Sequence, residues 1–509
     1  MSDDSKSSAL GPTTVAAESA WVFSFGRNDN GECGRPPPAA ASASAAAAPD
    51  AEKTEKDLDP VKAALLADPR CVTTLSNLQN GIVSVGCGLY HSMAVSSSGE
   101  LYTWGAGSGG QLGRTRAGGG GSTKAVGMCA TPTVVAGLQS RQQHVLRAVG
   151  GRNHSFVLAA PGRAFTWGRN VHGQLGHPPT AASATTRKGE AHVLEPRHLR
   201  ALDGRGRLAE VACGEYMTAA LTQQGDVLTW GRATNGRGGT GRPVHPVPEP
   251  CALPRRAFGG AAVTTLALGW RHCLARTREG LLFSWGAGGH GQLGLESCRD
   301  AHTPQHVEAL AREAVVVLGA GAMHSLAVTR EGVVFAWGEG SAGQLGLGAC
   351  SATARPQGVA ALLDQPSIVA LDAGAAHSAF VTSTGELLTC GDDSYGQLGW
   401  TAPPGAAAMP AADAPVAAAA AATTTASTAA AAPPSDPLSS GTRGFPDVPS
   451  GLPATSAPAA ASASASAALP NPRGVPRKAK LPEALFVREV ACGAHHTVVL
   501  ATNSVNVVI

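Results

Sequence analysis

Hydrophobic and polar positions along the chain repeat one short pattern. In Ser325-Leu-Ala-Val-Thr-Arg-Glu-Gly-Val-Val-Phe-Ala-Trp337, two apolar runs of strand length flank Arg330-Glu331-Gly332. Such runs around a glycine-bearing turn predict a β-hairpin, because glycine takes up the positive φ that a tight turn needs. The turn recurs as Ser98-Gly99-Glu100, Gln224-Gly225-Asp226, Glu279-Gly280 and Thr384-Gly385-Glu386. A third apolar run precedes each hairpin, as in Val315-Val-Val-Leu318 and Ile368-Val-Ala-Leu371. Each unit is therefore expected to be a small antiparallel sheet, too small to be stable alone.

Two phrases frame the hairpins. One is Gly-x-x-His followed by Ser or Thr, beginning with some drift at Gly88, Gly151, Gly214, Gly269, Gly321, Gly374 and Gly493. The other is Trp-Gly, four variable residues, then Gly-Gln-Leu-Gly, at Trp104, Trp167, Trp230, Trp285, Trp337 and (with cysteine for tryptophan) Cys390. His91 to Trp104, His154 to Trp167, Met217 to Trp230, His272 to Trp285, His324 to Trp337 and His377 to Cys390 are all 13 residues apart. Constant register over six copies marks a structural repeat, and sheets packed radially would bury a continuous core.

These phrases resemble the regulator-of-chromosome-condensation family, whose members are seven-bladed propellers. The resemblance covers most of the chain outside four inserts. The third blade departs most: Met217 replaces His, and Gly236-Arg-Gly-Gly239 replaces Gly-Gln-Leu-Gly. Counting blades gives closure. Val22-Phe-Ser-Phe-Gly26 with Gly31-Glu-Cys-Gly34 lacks a His phrase, and Val490 to His496 lacks a Trp phrase. The expected fold is all-β: a seven-bladed β-propeller closed by pairing of the N- and C-terminal strands, with one domain over 21–509. Val505 to Ile509 is a rival strand for the same slot; the N-terminal strand is favoured. Closing the ring removes an exposed sheet edge.

Composition adds the inserts. Residues 1–20 read as a disordered tail. The segments 36–70, 114–131, 177–191 and 401–480 are rich in Ala, Pro, Ser, Thr, Gly or charge, and are expected to be disordered, since they cannot bury enough apolar surface to offset ordering entropy. All four follow the Gly-x-x-Gly phrase, so they should leave one face.

Charge and cysteines narrow the partner class. The net charge of +3 does not point to nucleic acid, chromatin or an anionic membrane as the main partner. No long apolar run is present, Met1-Ser-Asp-Asp-Ser-Lys6 shows no secretory pattern, and eleven scattered cysteines suit a reducing compartment. A monomer in the cytoplasm or nucleus is expected; Arg473 to Lys480 is a small basic cluster.

The six repeated histidines (His91, His154, His272, His324, His377 and His496) are expected to bond to backbone rather than bind metal. Cys87, Cys213 and Cys492 lack Cys-x-x-Cys spacing. No nucleophile–base set, phosphate loop or paired carboxylates stand out, so the chain is not expected to be an enzyme, to hold a cofactor or to have catalytic residues. The variable positions inside the repeats carry the candidates. Before each His position stand Leu89-Tyr90, Arg152-Asn153, Glu215-Tyr216, Trp270-Arg271, Ala322-Met323, Ala375-Ala376 and Ala494-His495. Tyr90, Arg152, Glu215, Tyr216, Trp270 and Arg271 are the candidate partner-binding residues, aromatics and arginines being frequent interface anchors. A second candidate ring follows Trp-Gly: Arg27, Arg169, Arg232, Glu339 and Asp392, with bases in one sector and acids in another.

The expected function is a non-catalytic protein-interaction platform. The alternative implied by the resemblance is guanine-nucleotide exchange on a Ran-like small GTPase. Members that act on Ran carry acidic residues near the His phrase and a wedge insertion in an early blade. Here Glu215 is the single acidic residue of that ring, and the Trp167 blade has no wedge. The ultraviolet photoreceptor of this family stacks tryptophans from neighbouring Gly-Trp-Arg-His phrases; only Trp270 matches, so light sensing is not expected.

Overall fold

A strand that must bury both faces between neighbouring sheets reads as an unbroken run of small and apolar residues, and the strands that begin at the His phrases do so. His91–Ser96, Met217–Thr222, His324–Thr329 and His377–Thr382 are buried at every position. The computed structural model describes residues 20–34, 70–76, 78, 81–117, 123–178, 184–185, 191–241, 246–400, 472–482 and 485–503. They form seven antiparallel sheets arranged as the blades of a propeller. Blade 1 comprises Ile82–Cys87, His91–Ser96, Leu101–Ala106 and Met128–Val134, in that order from the innermost strand outwards. Blades 2 to 6 repeat the order from Val145, Leu208, Val263, Val315 and Ile368.

Blade 7 is shared by the two ends of the chain. Leu485–Cys492 and His496–Asn503 supply its inner strands, Ala20–Gly26 the third and Arg70–Cys71 the fourth. Ala20–Gly26 pairs from Ala20↔Thr502 to Gly26↔His496, so the N-terminal strand fills the closing slot. The rival, Val505 to Ile509, lies outside the described residues, as do residues 1–19, 35–69 and 401–471 of the expected tail and inserts.

The fourth, outer strand of each blade is absent from the sequence reading. Five of these strands carry a buried proline: Pro132, Pro196, Pro250, Pro304 and Pro356. Proline lacks the N–H of a central strand and is tolerated at an edge, so it masks the strand signal. All four insert boundaries change as a result, since Arg70 and Ala191, the last residues of two of the expected inserts, already lie in outer strands. Met128–Val134, partly inside the expected insert 114–131, is an outer strand, and Thr115–Ala117 pairs with Thr123–Ala125 as a hairpin rather than lying unstructured. Arg477–Lys478, inside the expected insert 401–480, pairs with Thr389 and Leu388 as the outer strand of blade 6. In the insert 177–191, Ala184–Thr185 pairs with Ala191 and His192.

The repeated phrases form a girdle of hydrogen bonds between blades. The carbonyl at the Gln position of one blade accepts the tryptophan Nε1–H of the next: Trp104 to Glu32, Trp167 to Gln111, Trp230 to Gln174, Trp285 to Arg237 and Trp337 to Gln292, at 2.8–3.0 Å. Each repeated imidazole bonds through Nε2 to the Ser or Thr that follows the His position of the next blade, at 2.8–3.1 Å: His91 to Ser155, His154 to Thr218, His272 to Ser325, His324 to Ser378, His377 to Thr497 and His496 to Ser92. The partner is thus a hydroxyl and not the backbone that the sequence reading expects. Burial pushes His91, His272, His324, His377 and His496 down to about 3 and His154 to about 4.

Glycine at the head of the His phrase is required by this contact. A Cβ on Gly88 would lie 2.1 Å from His91 Cε1.

Candidate functional site: one face of the propeller

Strand pairing puts both variable rings at the same end of the blades. His91 is opposite Gly105, His154 opposite Gly168 and Met217 opposite Gly231, so the turn before each histidine adjoins the loop after each Trp-Gly. In all seven blades the N–H after Trp-Gly, or its equivalent, donates to the carbonyl just before the His position. Examples are Ala106 to Tyr90, Arg169 to Asn153, Arg232 to Tyr216, Asp392 to Ala376 and Arg27 to His495, at 2.7–2.9 Å. The two rings are one surface, and the described flanks of the inserts leave from loops on this same face.

The inner members of the surface are tied into a closed backbone ring. Leu89 N–H donates to Gly151, Arg152 to Glu215, Glu215 to Trp270, Trp270 to Gly321, Ala322 to Gly374, Ala375 to Ala494, and Ala494 to Leu89, at 3.0–3.3 Å. This geometry corrects one expectation. Glu215 is not an exposed contact residue: it is 3% exposed, held within the ring. Trp270 and Tyr90 are partly exposed, and Arg271 is the open member of the set, at 46% side-chain exposure.

Blades 2 to 4 gather the basic side chains around that carboxylate. Arg152 Nη1 donates to Glu215 Oε1 at 2.6 Å; Arg271 Nε lies 3.5 Å and Arg237 Nη1 3.8 Å from Oε2. Arg152 and Arg232 lie over the Tyr216 ring, 5.5 and 5.8 Å from its centroid, and His172 meets it edge-on at 5.0 Å. Burial, with Arg232, Arg169 and Arg237 nearby, lowers His172.

Arg237 was not among the sequence candidates. It replaces the structural glutamine of the third blade and is 2% exposed; burial, then Arg232, pulls its guanidinium down to about 10, which leaves it charged at neutral pH. A charged residue at a scaffold position, in the same blade as Glu215, was the available signal.

The other sector is acidic and internally paired. Glu339 receives His290 Nδ1 at 2.9 Å and the Ser341 N–H at 3.0 Å. Asp392 receives Gln397 Nε2 at 2.8 Å. Arg27 pairs with Asp29 at 2.8 Å and sits over Tyr395 at 5.0 Å. The charge separation expected for the second ring is therefore present, but Arg27 stands outside the basic sector. Among the described residues no group of three or more His, Cys, Asp and Glu is placed to hold a metal ion.

Comparison with known proteins agrees with the repeat. The chain is similar to human E3 ubiquitin-protein ligase HERC2, 32% identical over 348 residues; the match covers 68% of this chain and 7% of the ligase. It is similar to the ultraviolet-B receptor UVR8 of Arabidopsis thaliana, 33% identical over 330 residues, covering 64% of this chain and 69% of the receptor. Of solved structures, human WBSCR16 superposes with a TM-score of 0.66 at 21% identity, covering 95% of this chain and 99% of that one. Prp20p of Saccharomyces cerevisiae superposes with a TM-score of 0.64 at 17% identity, covering 96% and 92%. These two show the shared fold. Regulator of chromosome condensation (RCC1) repeat models match residues 21–95 and 82–111. With the RCC1-like domain model matching residues 119–433 as well, the chain belongs to the RCC1-repeat propeller family.

Proposed function

We propose that this chain is a non-catalytic protein-interaction platform whose docking surface is the face formed by the two variable rings. One observation carries the reading. In all seven blades the backbone of this face makes the same bond from the Trp-Gly loop to the residue before the His position, while its side chains run from Trp270 and Arg271 to Ala375 and Ala376. A scaffold that needs only the backbone gives no reason for one crowded, charged sector beside a bare one. A partner does, because interfaces concentrate their binding in a few aromatic and arginine anchors. Family membership supports a protein-binding or exchange role in general terms.

Guanine-nucleotide exchange on a Ran-like GTPase is the second reading, suggested by the fold shared with Prp20p, a protein studied for binding to Gsp1p and histones. Exchange would require the face to favour the nucleotide-free GTPase over the loaded one. The acidic residue that could serve it, Glu215, is buried against arginines.

The test places a photo-crosslinking side chain at Trp270 or Met323 on this face, and at Val83 or Val369 as controls. Val83 and Val369 are exposed near the opposite ends of their innermost strands. Partners captured from the face and not from the controls, together with an unchanged rate of GDP release from a Ran-type GTPase, are expected. Acceleration of that release by orders of magnitude would replace the platform by the exchange factor.

A further inference from the structure

Arg237 forfeits a bond that its counterparts make. In five blades the glutamine at this position accepts, through Oε1, the N–H two residues before it: Gly109 to Gln111, His172 to Gln174, His290 to Gln292, Ala342 to Gln344 and Tyr395 to Gln397, at 2.8–3.0 Å. Glu32 does the same for Asn30 at 2.9 Å. An arginine has no acceptor atom, so this loop bond is lost in blade 3 alone. The scaffold function of the position, a backbone carbonyl offered to Trp285, needs no charge. The replacement therefore gives up the loop bond and buries a guanidinium beside the buried carboxylate of Glu215.

Arg237 is within ion-pair distance of Glu215 but is not hydrogen-bonded to it. Its Nε and Nη1 make no hydrogen bond although the side chain is 3% exposed, and Glu215 Oε2 also has no hydrogen-bond partner. The approach of 3.8 Å between them is too long to be one. A single carboxylate faces Arg152, Arg237 and Arg271, with Arg232 across Tyr216. Asp300, on the same face, is taken by Asn235 Nδ2 and the Gly288 N–H. The sector thus holds a strong excess of positive charge, in guanidinium groups whose planar forks match carboxylates.

The size of the basic area limits the ligand. It covers blades 2 to 4, while Glu339, Asp392 and Asp393 occupy blades 5 and 6. An extended polyanion such as a nucleic acid would run from the arginines onto these carboxylates and be repelled; a short acidic stretch of a protein would not.

Resting on the reading of this face as the docking surface, we infer that the arginine cluster of blades 2 to 4 is a recognition site for a short acidic peptide segment. Its carboxylates pair with Arg152, Arg232 and Arg271, with Arg237 supplying charge from beneath.

The experiment measures fluorescence anisotropy of a labelled peptide of alternating Glu and Ser titrated with the full chain. The same peptide with Gln for Glu, and an oligodeoxythymidylate of equal charge, are run beside it. The acidic peptide is expected to bind, the Gln peptide not, and the oligonucleotide at least tenfold more weakly. Arg152→Gln and Arg271→Gln should each weaken the peptide roughly tenfold or more, and Glu339→Gln should not weaken it. Arg271 is half exposed, so Arg271→Gln should leave the melting temperature unchanged, which a thermal melt checks. No binding of the acidic peptide, equal binding of the oligonucleotide, or indifference to both arginine substitutions overturns the inference. If crosslinks from Trp270 capture a partner while the acidic peptide goes unbound, this inference falls and the platform reading stands; if both fail, both fall.

Discussion

Met217 of blade 3 and Cys273 of blade 4 replace, as a pair, the His–Ser/Thr bond that joins the other neighbouring blades. Met217 stands at the histidine position, and Cys273 at the hydroxyl position that would receive it; both are buried in one apolar cluster. A histidine there would face a weak thiol acceptor, and a serine would have no imidazole to meet. The missing histidine of blade 3 and the missing hydroxyl of blade 4 are one compensated exchange of a polar for an apolar contact.

A double-mutant cycle reads this coupling. Met217→His alone buries an imidazole without a good partner and should cost about 1–3 kcal/mol in denaturant unfolding. Cys273→Ser alone should cost less, because a hydroxyl there can still donate to the Arg237 carbonyl, as Ser325 does to Gln292. The double variant should recover about 1 kcal/mol or more relative to the sum of the singles. Strict additivity would mean that the two positions do not communicate.

The imidazole girdle predicts an acid-sensitive fold. The six histidines titrate near 3 to 4 in the folded protein, against an ordinary value of 6.5, so the unfolded chain binds more protons between those limits. Stability therefore rises with pH through this window and is lost as pH falls below about 6.5. Asp372 and Asp393, raised by burial to about 6, and Glu32, Glu210 and Glu489, also raised by burial, act in the opposite sense; the six girdle imidazoles, joined by His177 at about 4, outnumber them. The melting temperature should fall steadily from pH 7 to pH 5. A flat or rising profile would contradict the buried neutral imidazoles.

Closure by the N-terminal strand predicts a large effect of a short truncation. Phe25 is fully buried and Phe23 nearly so. Phe25→Ala should cost about 3–5 kcal/mol. Removing residues 1–34 should cost more, since it also strips the pairing partner of His496–Thr502. Chemical denaturation measures both; an unchanged midpoint for the truncation would mean that another segment closes the ring.

The revised insert boundary can be checked with two deletions. Removing residues 405–469 leaves every described strand pairing in place, and the melting temperature should stay nearly constant. Extending the deletion to 480 also removes Arg477–Lys478, the Lys478–Glu386 ion pair and the Arg477–Trp400 contact. That longer deletion should lower the melting temperature by several degrees.

Much of this was legible in the sequence because scaffold residues are fixed by contacts that tolerate few substitutes. A tryptophan that reaches a carbonyl in the next blade and a glycine packed against an imidazole recur at constant spacing, so the inner three strands and the closure could be counted. The outer strands could not, because their prolines read as breakers while their edge position tolerates them. The candidate face was legible as variable positions between fixed ones. Burial at those positions was not: Glu215 looked like a surface acid until its neighbours in space, Arg152 from blade 2 and Arg237 and Arg271 from blades 3 and 4, were known. Arg237 was visible only as a repeat departure.

The proposed platform requires the crowded sector of one face to bind a protein partner. The direct measurement is calorimetric titration of a crosslinked partner, once identified, against the wild-type chain, Trp270→Ala and Val369→Ala. Trp270→Ala should weaken binding by roughly 2 kcal/mol or more, as removal of an interface anchor does, with the melting temperature little changed because the ring bonds at this position are made by backbone. Val369→Ala should bind as the wild type. Full affinity in Trp270→Ala with loss in Val369→Ala would place the partner on the opposite face and contradict the account.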